Sequence, residues 1–238
     1  MQKAIKIKTK DNKIIFGTLD KKTESKKTLL IFVHGFTGNQ NEHHYFNAVP
    51  FFTRKGFTTF RFNFYDKDQR SRQMPESSIS THVNDLETVY NHFTKKYKEI
   101  ILVGHSLGAS IILLSQMPGV SKIILWDPTS GFKNIQEKDA YFNQKLDKYI
   151  FNWGKAIIVG KSLVDEWQKL DIGTLVKNIN VPCKFIFAEK AYKYKSWKPF
   201  LKKIKTPYDS VVIKKASHTF VEEGVEEKLF SETLKWIQ

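Results

Sequence analysis

The chain has 238 residues, 41% of them hydrophobic and 14% aromatic, with 39 Lys+Arg against 24 Asp+Glu for a formal net charge of +15. That apolar content excludes a disordered chain, and no run approaches the roughly 20 apolar residues of a membrane-spanning helix. The single Cys183 excludes an intrachain disulfide and a four-cysteine metal site.

The opening MQKAIKIKTKDNK is basic but lacks the continuous apolar stretch of a secretory signal, so the expectation is a cytoplasmic protein. Ala4 to Thr9 and Lys13 to Leu19 alternate polar and apolar residues around Asp11-Asn12 and read as a hairpin. Thr28 to Val33 (TLLIFV) is a continuous apolar run, as expected of a strand buried on both faces. Phe57 to Phe64 reads as the next strand. Ile79 to Lys95 places Ile79, Val83, Leu86, Val89, Tyr90 and Phe93 along one side of a helix. Strand Ile100 to Val103, helix Leu107 to Gln116 and strands Lys122 to Trp126, Cys183 to Phe187 and Ser210 to Ile213 follow. Helix Glu226 to Ile237 closes the chain. A hairpin followed by strand–helix alternation predicts an α/β fold, a mainly parallel eight-stranded sheet with helices on both faces. Residues 128–180 break the alternation. They are rich in aromatics (Phe132, Tyr141, Phe142, Tyr149, Phe151, Trp153, Trp167) and read as an insertion of mixed structure, either extra helices packed on the core or, as its position favours, a small cap over a pocket. The core is then 1–127 with 181–238.

Three segments carry chemistry. Gly104-His105-Ser106-Leu107-Gly108 lies where a buried strand runs into a helix. A serine in that strained turn projects its Oγ above the sheet, and the glycines let the backbone pass close to its neighbours. The helix that begins there points its first N–H groups at an anion forming on a substrate. Thr28 to Val33 ends in His34-Gly35-Phe36-Thr37-Gly38, a glycine-bearing loop at the strand's carboxyl end, where open α/β sheets bind ligands. The Phe36 and Leu107 amides are the candidate oxyanion donors, and His34 reads as a residue that shapes the loop. Ser217-His218-Thr219-Phe220 follows the last strand, where a neutral imidazole on His218 can take the Ser106 proton. His43 and His44 follow the glycine loop, and His82 and His92 fall on a helix pattern; all four are worse placed.

These residues resemble the α/β-hydrolase superfamily over nearly the whole chain. HGFTGN (34–39), RFNF (61–64), GHSLG (104–108) and SHTF (217–220) are similar to its small serine esterase and monoacylglycerol-lipase-like branch, which includes cinnamoyl and feruloyl esterases. The resemblance implies Ser106 as nucleophile, His218 as base, Phe36 and Leu107 as oxyanion amides, a cap after the sixth strand, and no metal or organic cofactor. It also implies an acidic residue after the seventh strand, where this chain has Ala191. Two carboxylates are candidates for that role. Glu189 stands two residues earlier, and Asp127 follows the preceding strand in Trp126-Asp127-Pro128.

The resulting expectation is a carboxylic ester hydrolase acting on a small-molecule ester. The same scaffold also serves serine peptidases, thioesterases and acyltransferases, and Ala191 favours a non-catalytic binding protein or a weak esterase. The charge alone favours a nucleic-acid binder. Only Arg54, Arg61, Arg70 and Arg72 are arginines, however, and base and phosphate readers lean on the planar guanidinium. Residues 1–27 carry +6, residues 184–205 carry +7 and the remainder only +2. The hairpin belongs at one sheet edge and 183–187 towards the other, so those segments are expected far apart. Neither a nucleic-acid partner nor stable membrane insertion is expected.

Overall fold

Strands made of unbroken apolar runs must be covered on both faces, and their position in the sheet shows it. The computed structural model describes residues 1–22, 28–129, 131–132 and 139–238. Parts of two expected segments, 23–27 of the lysine-rich N-terminus and 130 and 133–138 of the cap, lie outside the described residues. In chain order the elements are β1 (Gln2–Lys8), β2 (Ile14–Asp20), β3 (Thr28–Val33), α1 (His43–Arg54), β4 (Thr58–Phe62), α2 (Ile79–Phe93), β5 (Glu99–His105), α3 (Leu107–Leu114) and β6 (Val120–Trp126). They continue with β7 (Ala140–Asn143), β8 (Lys148–Asn152), β9 (Ala156–Gly160), α4 (Lys161–Gln168), α5 (Ile172–Lys177), β10 (Cys183–Ala188), α6 (Lys193–Leu201), β11 (Tyr208–Ile213) and α7 (Val225–Ile237).

The main sheet has eight strands in the order β1-β2-β4-β3-β5-β6-β10-β11. β2 runs antiparallel to both its neighbours, and every pairing from β4 to β11 is parallel. This is the expected α/β fold. Alternate residues of β3 separate the two layers. Leu30 and Phe32 pack with Tyr45, Ala48 and Phe52 of α1 and Leu229 and Phe230 of α7. Leu29, Ile31 and Val33 face the other layer, which includes Leu86 and Val89 of α2, Ile111 of α3 and Trp197 of α6. Trp126, fully buried at the end of β6, donates its indole N–H to Thr233 Oγ1 of α7 at 3.0 Å.

β7, β8 and β9 form a separate antiparallel sheet. Phe142, Tyr149 and Val159 are cross-strand partners, as are Tyr141, Ile150 and Ile158 on the opposite face. The lysine-rich segments lie at opposite ends of the main sheet: the β1–β2 hairpin forms one edge and β10 is next to the other. Among the described residues no helix is long and apolar enough to cross a membrane.

Two helices have no clear signal in the sequence. α1 contains Pro50 and α6 contains Pro199, and an internal proline removes a backbone donor and argues against a helix. In both, the buried face outweighs that cost. Tyr45, Ala48 and Phe52 anchor α1, while Trp197 and Leu201 anchor α6, with Trp197 donating to Pro128 O at 3.1 Å.

A buried ion pair ties the first hairpin to α2. Arg72 is held in a two-pronged grip by Asp85 at 2.9 Å through both Nε and Nη2, and its Nη1 reaches Asp11 at 3.0 Å. Burial pushes the Asp85 carboxyl up and the guanidinium opposes that shift. Removing one member strands the other charge in the core, which typically costs about 3–5 kcal/mol. Asp85→Ala is therefore expected to lower the urea-unfolding free energy by that amount. Lys235→Ala, which removes an exposed partner of Glu232, should change it by less than about 1 kcal/mol.

Candidate active site

The parallel strands β3, β5, β6 and β10 deliver Gly35, Ser106, Asp127 and Ala188 to one edge of the sheet. β5 ends at His105 and α3 begins at Leu107, which leaves Ser106 alone to make the turn. It does so at φ 54°, ψ −118°, a conformation that costs a side-chain-bearing residue about 1–3 kcal/mol. Glycine is required on both sides. A Cβ on Gly104 would lie 2.8 Å from Ala109 Cα, and one on Gly108 would lie 2.5 Å from His34 O. α3 therefore starts directly against the end of β3. Gly35 is equally close, since a Cβ there would meet Ser106 Cβ at 3.0 Å.

Ser106 Oγ lies 3.0 Å from His218 Nε2, and His218 Nδ1 lies 2.5 Å from Asp127 Oδ2. With the Nδ1 proton directed at the carboxylate, Nε2 faces the serine hydroxyl as an acceptor. Asp127 is fully buried, whereas the His218 side chain is 38% exposed. Asp127 sits at φ 41°, its N–H donates to Ile186 O at 2.7 Å, and its Oδ1 accepts from Ala188 N at 3.1 Å. One carboxylate oxygen is thereby tied to the neighbouring strand and the other left for the imidazole.

Glu189 is elsewhere. Its carboxylate accepts from Lys214 Nζ and from the Lys215 amide, each at 2.8 Å, and these partners hold it below the usual carboxylate range. The structure therefore brings Ser106, His218 and Asp127 together and leaves Glu189 out. Ala191 lies in a short turn after β10, so that position supplies no carboxylate.

The loop after β3 is shaped by His34. Its Nε2 accepts from Phe64 N at 3.0 Å, so Nδ1 carries the proton and donates to Gly35 O at 2.8 Å. Among the described residues neither the Phe36 nor the Leu107 amide has a hydrogen-bond acceptor. The Phe36 ring is enclosed by Phe151, Trp153 and Trp167 at centroid distances of 5.0–5.3 Å, and Phe132 stacks on Trp167 at 4.7 Å. The segment carrying β7 to β9 thus packs its aromatics on this loop.

Other residues hold the histidine in place, and residue spacing gives no sign of them. His105 Nε2 donates to His218 O at 2.8 Å, and its ring lies 4.6 Å from the His218 ring. His44 packs against His105 at 4.8 Å. Glu222 accepts twice from Ser217 N, at 2.9 and 3.0 Å. Among the described residues no group of three or more His, Cys, Asp or Glu side chains is arranged to hold a metal ion.

The chain belongs to the α/β-hydrolase fold family, whose model matches residues 28–203. Among solved structures it is similar to Est1E from Butyrivibrio proteoclasticus with bound ferulic acid, at 18% identity and a TM-score of 0.79, covering 98% of this chain and 99% of that one. The α/β hydrolase GrgF from Penicillium sp. sh18 superposes with a TM-score of 0.81 at 13% identity, covering 100% and 98%. A dienelactone hydrolase from Anabaena variabilis gives 0.72 at 12% identity, covering 100% and 96%. At such identities these likenesses describe the fold. A search of curated proteins returned no match.

Four buried histidines are pushed down by desolvation: His34 to about 4, His44 to about 3, and His82 and His105 well below their ordinary value. In the unfolded chain they take up protons near pH 6.5, and in the fold they refuse them. Their contribution to stability is complete above pH 6.5 and is lost as pH falls from there towards 4. Each costs at most about 2 kcal/mol at pH 5. Glu42 acts in the opposite direction, because burial raises its carboxyl to about 7, but as one group against four. The urea-unfolding free energy is therefore expected to fall by roughly 3 kcal/mol or more between pH 7 and pH 5, and His44→Phe should flatten that slope.

Proposed function

We propose that the protein is a serine hydrolase that cleaves carboxylic esters through an acyl-enzyme on Ser106. The observation that carries this reading is the continuous hydrogen-bonded path from Ser106 Oγ through His218 to the buried Asp127, at 3.0 and 2.5 Å. A serine hydroxyl is a weak nucleophile until a neighbouring base accepts its proton as the bond to the carbonyl carbon forms.

In the proposed cycle His218 Nε2 takes the Ser106 proton while Oγ attacks the ester carbonyl. Asp127 keeps the Nδ1 proton in place and stabilises the imidazolium that results. The carbonyl oxygen becomes an oxyanion facing the Phe36 and Leu107 amides, whose lack of an acceptor among the described residues supports that role. Each such donor typically contributes about 10²–10³ in rate. Collapse of the tetrahedral adduct breaks the bond to the leaving alcohol, which receives its proton from His218. A water molecule then gives a proton to the same nitrogen and attacks the acyl carbonyl; collapse breaks the bond to Ser106 Oγ, which takes that proton from His218 as the acid leaves. The scheme calls on no metal or organic cofactor.

The enclosure of Phe36 by Phe151, Trp153 and Trp167, with Phe132 stacked on Trp167, supports an aryl or short acyl group on the substrate. The similar fold of Est1E, solved with ferulic acid, points the same way. A nucleic-acid partner is not part of this reading, because the two lysine-rich segments occupy opposite ends of the sheet.

A fluorophosphonate probe should label wild-type protein at Ser106 and leave Ser106→Ala unlabelled, as read by mass spectrometry. No adduct on folded protein would sink the hydrolase reading. On p-nitrophenyl esters Asp127→Asn should lose about 10⁴ in kcat, the usual effect of a wrong imidazole tautomer. Glu189→Gln should stay within about threefold of wild type, and the reverse ranking would move the acid to Glu189.

A further inference from the structure

Gly38 closes the turn that carries Phe36, with its N–H donating to Gly35 O at 3.2 Å. Behind that turn sits a carboxyl group with no task in the proposed cycle. A Cβ on Gly38 would lie 2.8 Å from the Glu42 carboxyl carbon and 3.1 Å from Oε1, so the carboxyl fills the space that a side chain at 38 would occupy. Glu42 Oε2 is buried and has no hydrogen-bond partner among the described residues. A full negative charge shared by such an oxygen is costly, and burial of this kind favours the protonated carboxyl.

We propose that Glu42 is a positioning residue for the oxyanion loop that serves as a neutral carboxylic acid, and that its ionisation weakens the loop's hold on the oxyanion. Two consequences of its charge act together. A carboxylate behind the turn repels the negative charge developing on the substrate oxygen in front of it. It also draws water or a cation towards Gly38, at the point where α1 and the loop meet. The inference rests on the reading of Phe36 as an oxyanion donor.

The groups around the carboxyl come from three elements. From the loop, the Asn39 amide favours the charged form; burial outweighs it and raises the carboxyl to about 7. From α1, Tyr45 feels the Glu42 charge, and its hydroxyl donates to Val33 O at 3.0 Å. From the segment after β4, Tyr65 feels it as well. Both phenols are pushed upward, chiefly by burial and then by Glu42, so they stay protonated while Glu42 titrates. The sign follows directly: Glu42 is neutral below about 7 and charged above it.

The test compares Glu42→Gln with wild type from pH 5.5 to 9, by kcat/KM on a p-nitrophenyl ester and by the rate of Ser106 phosphonylation. Taking the ratio of variant to wild type cancels the pH dependence that the two proteins share. The ratio is expected to rise by about threefold to tenfold through pH 7, in one step, as a like charge near the oxyanion is removed. A merely structural role for Glu42 would shift the ratio equally at every pH, and a flat or falling ratio overturns the proposal. If Glu42→Gln does not fold, Glu42→Met, similar in volume and without charge, takes its place under the same criterion. Wild-type protein that neither turns over ester nor labels at Ser106 refutes the hydrolase reading itself, and this inference with it. Labelling with a flat ratio refutes only the role of Glu42.

Discussion

α3 begins in contact with the carbonyl end of β3, and the arrangement of the site depends on that contact. It is possible only because residue 108 has no side chain to meet His34 O. The approach brings the Leu107 amide beside the loop that carries Phe36 and forces Ser106 into its positive-φ turn. The strain at Ser106 is offset by the parallel pairing of β5 with β3 and β6, which continues to His105, and by the Ser106 N–H donating to Trp126 O at 3.0 Å. Flexibility here would let the turn relax and carry Oγ away from His218 Nε2, so the rigidity of the sheet holds the 3.0 Å contact between them.

Behind this edge the protein keeps four histidines uncharged. His34, His44, His82 and His105 are held neutral by burial, and each can then use one nitrogen as donor and the other as acceptor. His34 uses both, one towards Gly35 O and one from Phe64 N. His105 uses one to fix the backbone of His218. A protonated ring at either place would put a positive charge in a buried position, and would turn the acceptor on His34 into a donor facing another donor. The neutral histidines make the geometry of the site dependent on pH well away from the reacting atoms.

Much of this was legible in the sequence, and the reasons are local. TLLIFV and IILV announce strands covered on both faces, and GHSLG announces the turn, because the glycines are demanded by clashes within a few residues of Ser106. The helices α1 and α6 were not legible, since Pro50 and Pro199 argue locally against them and only tertiary burial of Tyr45, Phe52, Trp197 and Leu201 overrides that. His105 and Glu222 were not legible as supports for His218 either. His105 acts through a backbone carbonyl 113 residues away, a relation that no spacing rule encodes.

The carboxylate shows the same limit most clearly. Chain order offers Glu189, next to where related folds place an acid, and Asp127, at the end of a different strand, and the sequence cannot rank them on distance. The sheet can, because β6 and β10 are neighbours and a group at the end of either strand reaches the same space. The positive φ at Asp127 turns its side chain across that gap, and the Ala188 amide then holds one of its oxygens. β10 thus contributes a donor to the site in place of an acid. Under the proposed role of Asp127 no carboxylate is required after β10: Glu189 pairs with Lys214, and the chain continues into the lysine-rich α6. Imidazole orientation requires a buried oxygen within hydrogen-bond reach of Nδ1. It places no demand on which strand supplies that oxygen, and the concentration of lysine after β10 is consistent with that freedom.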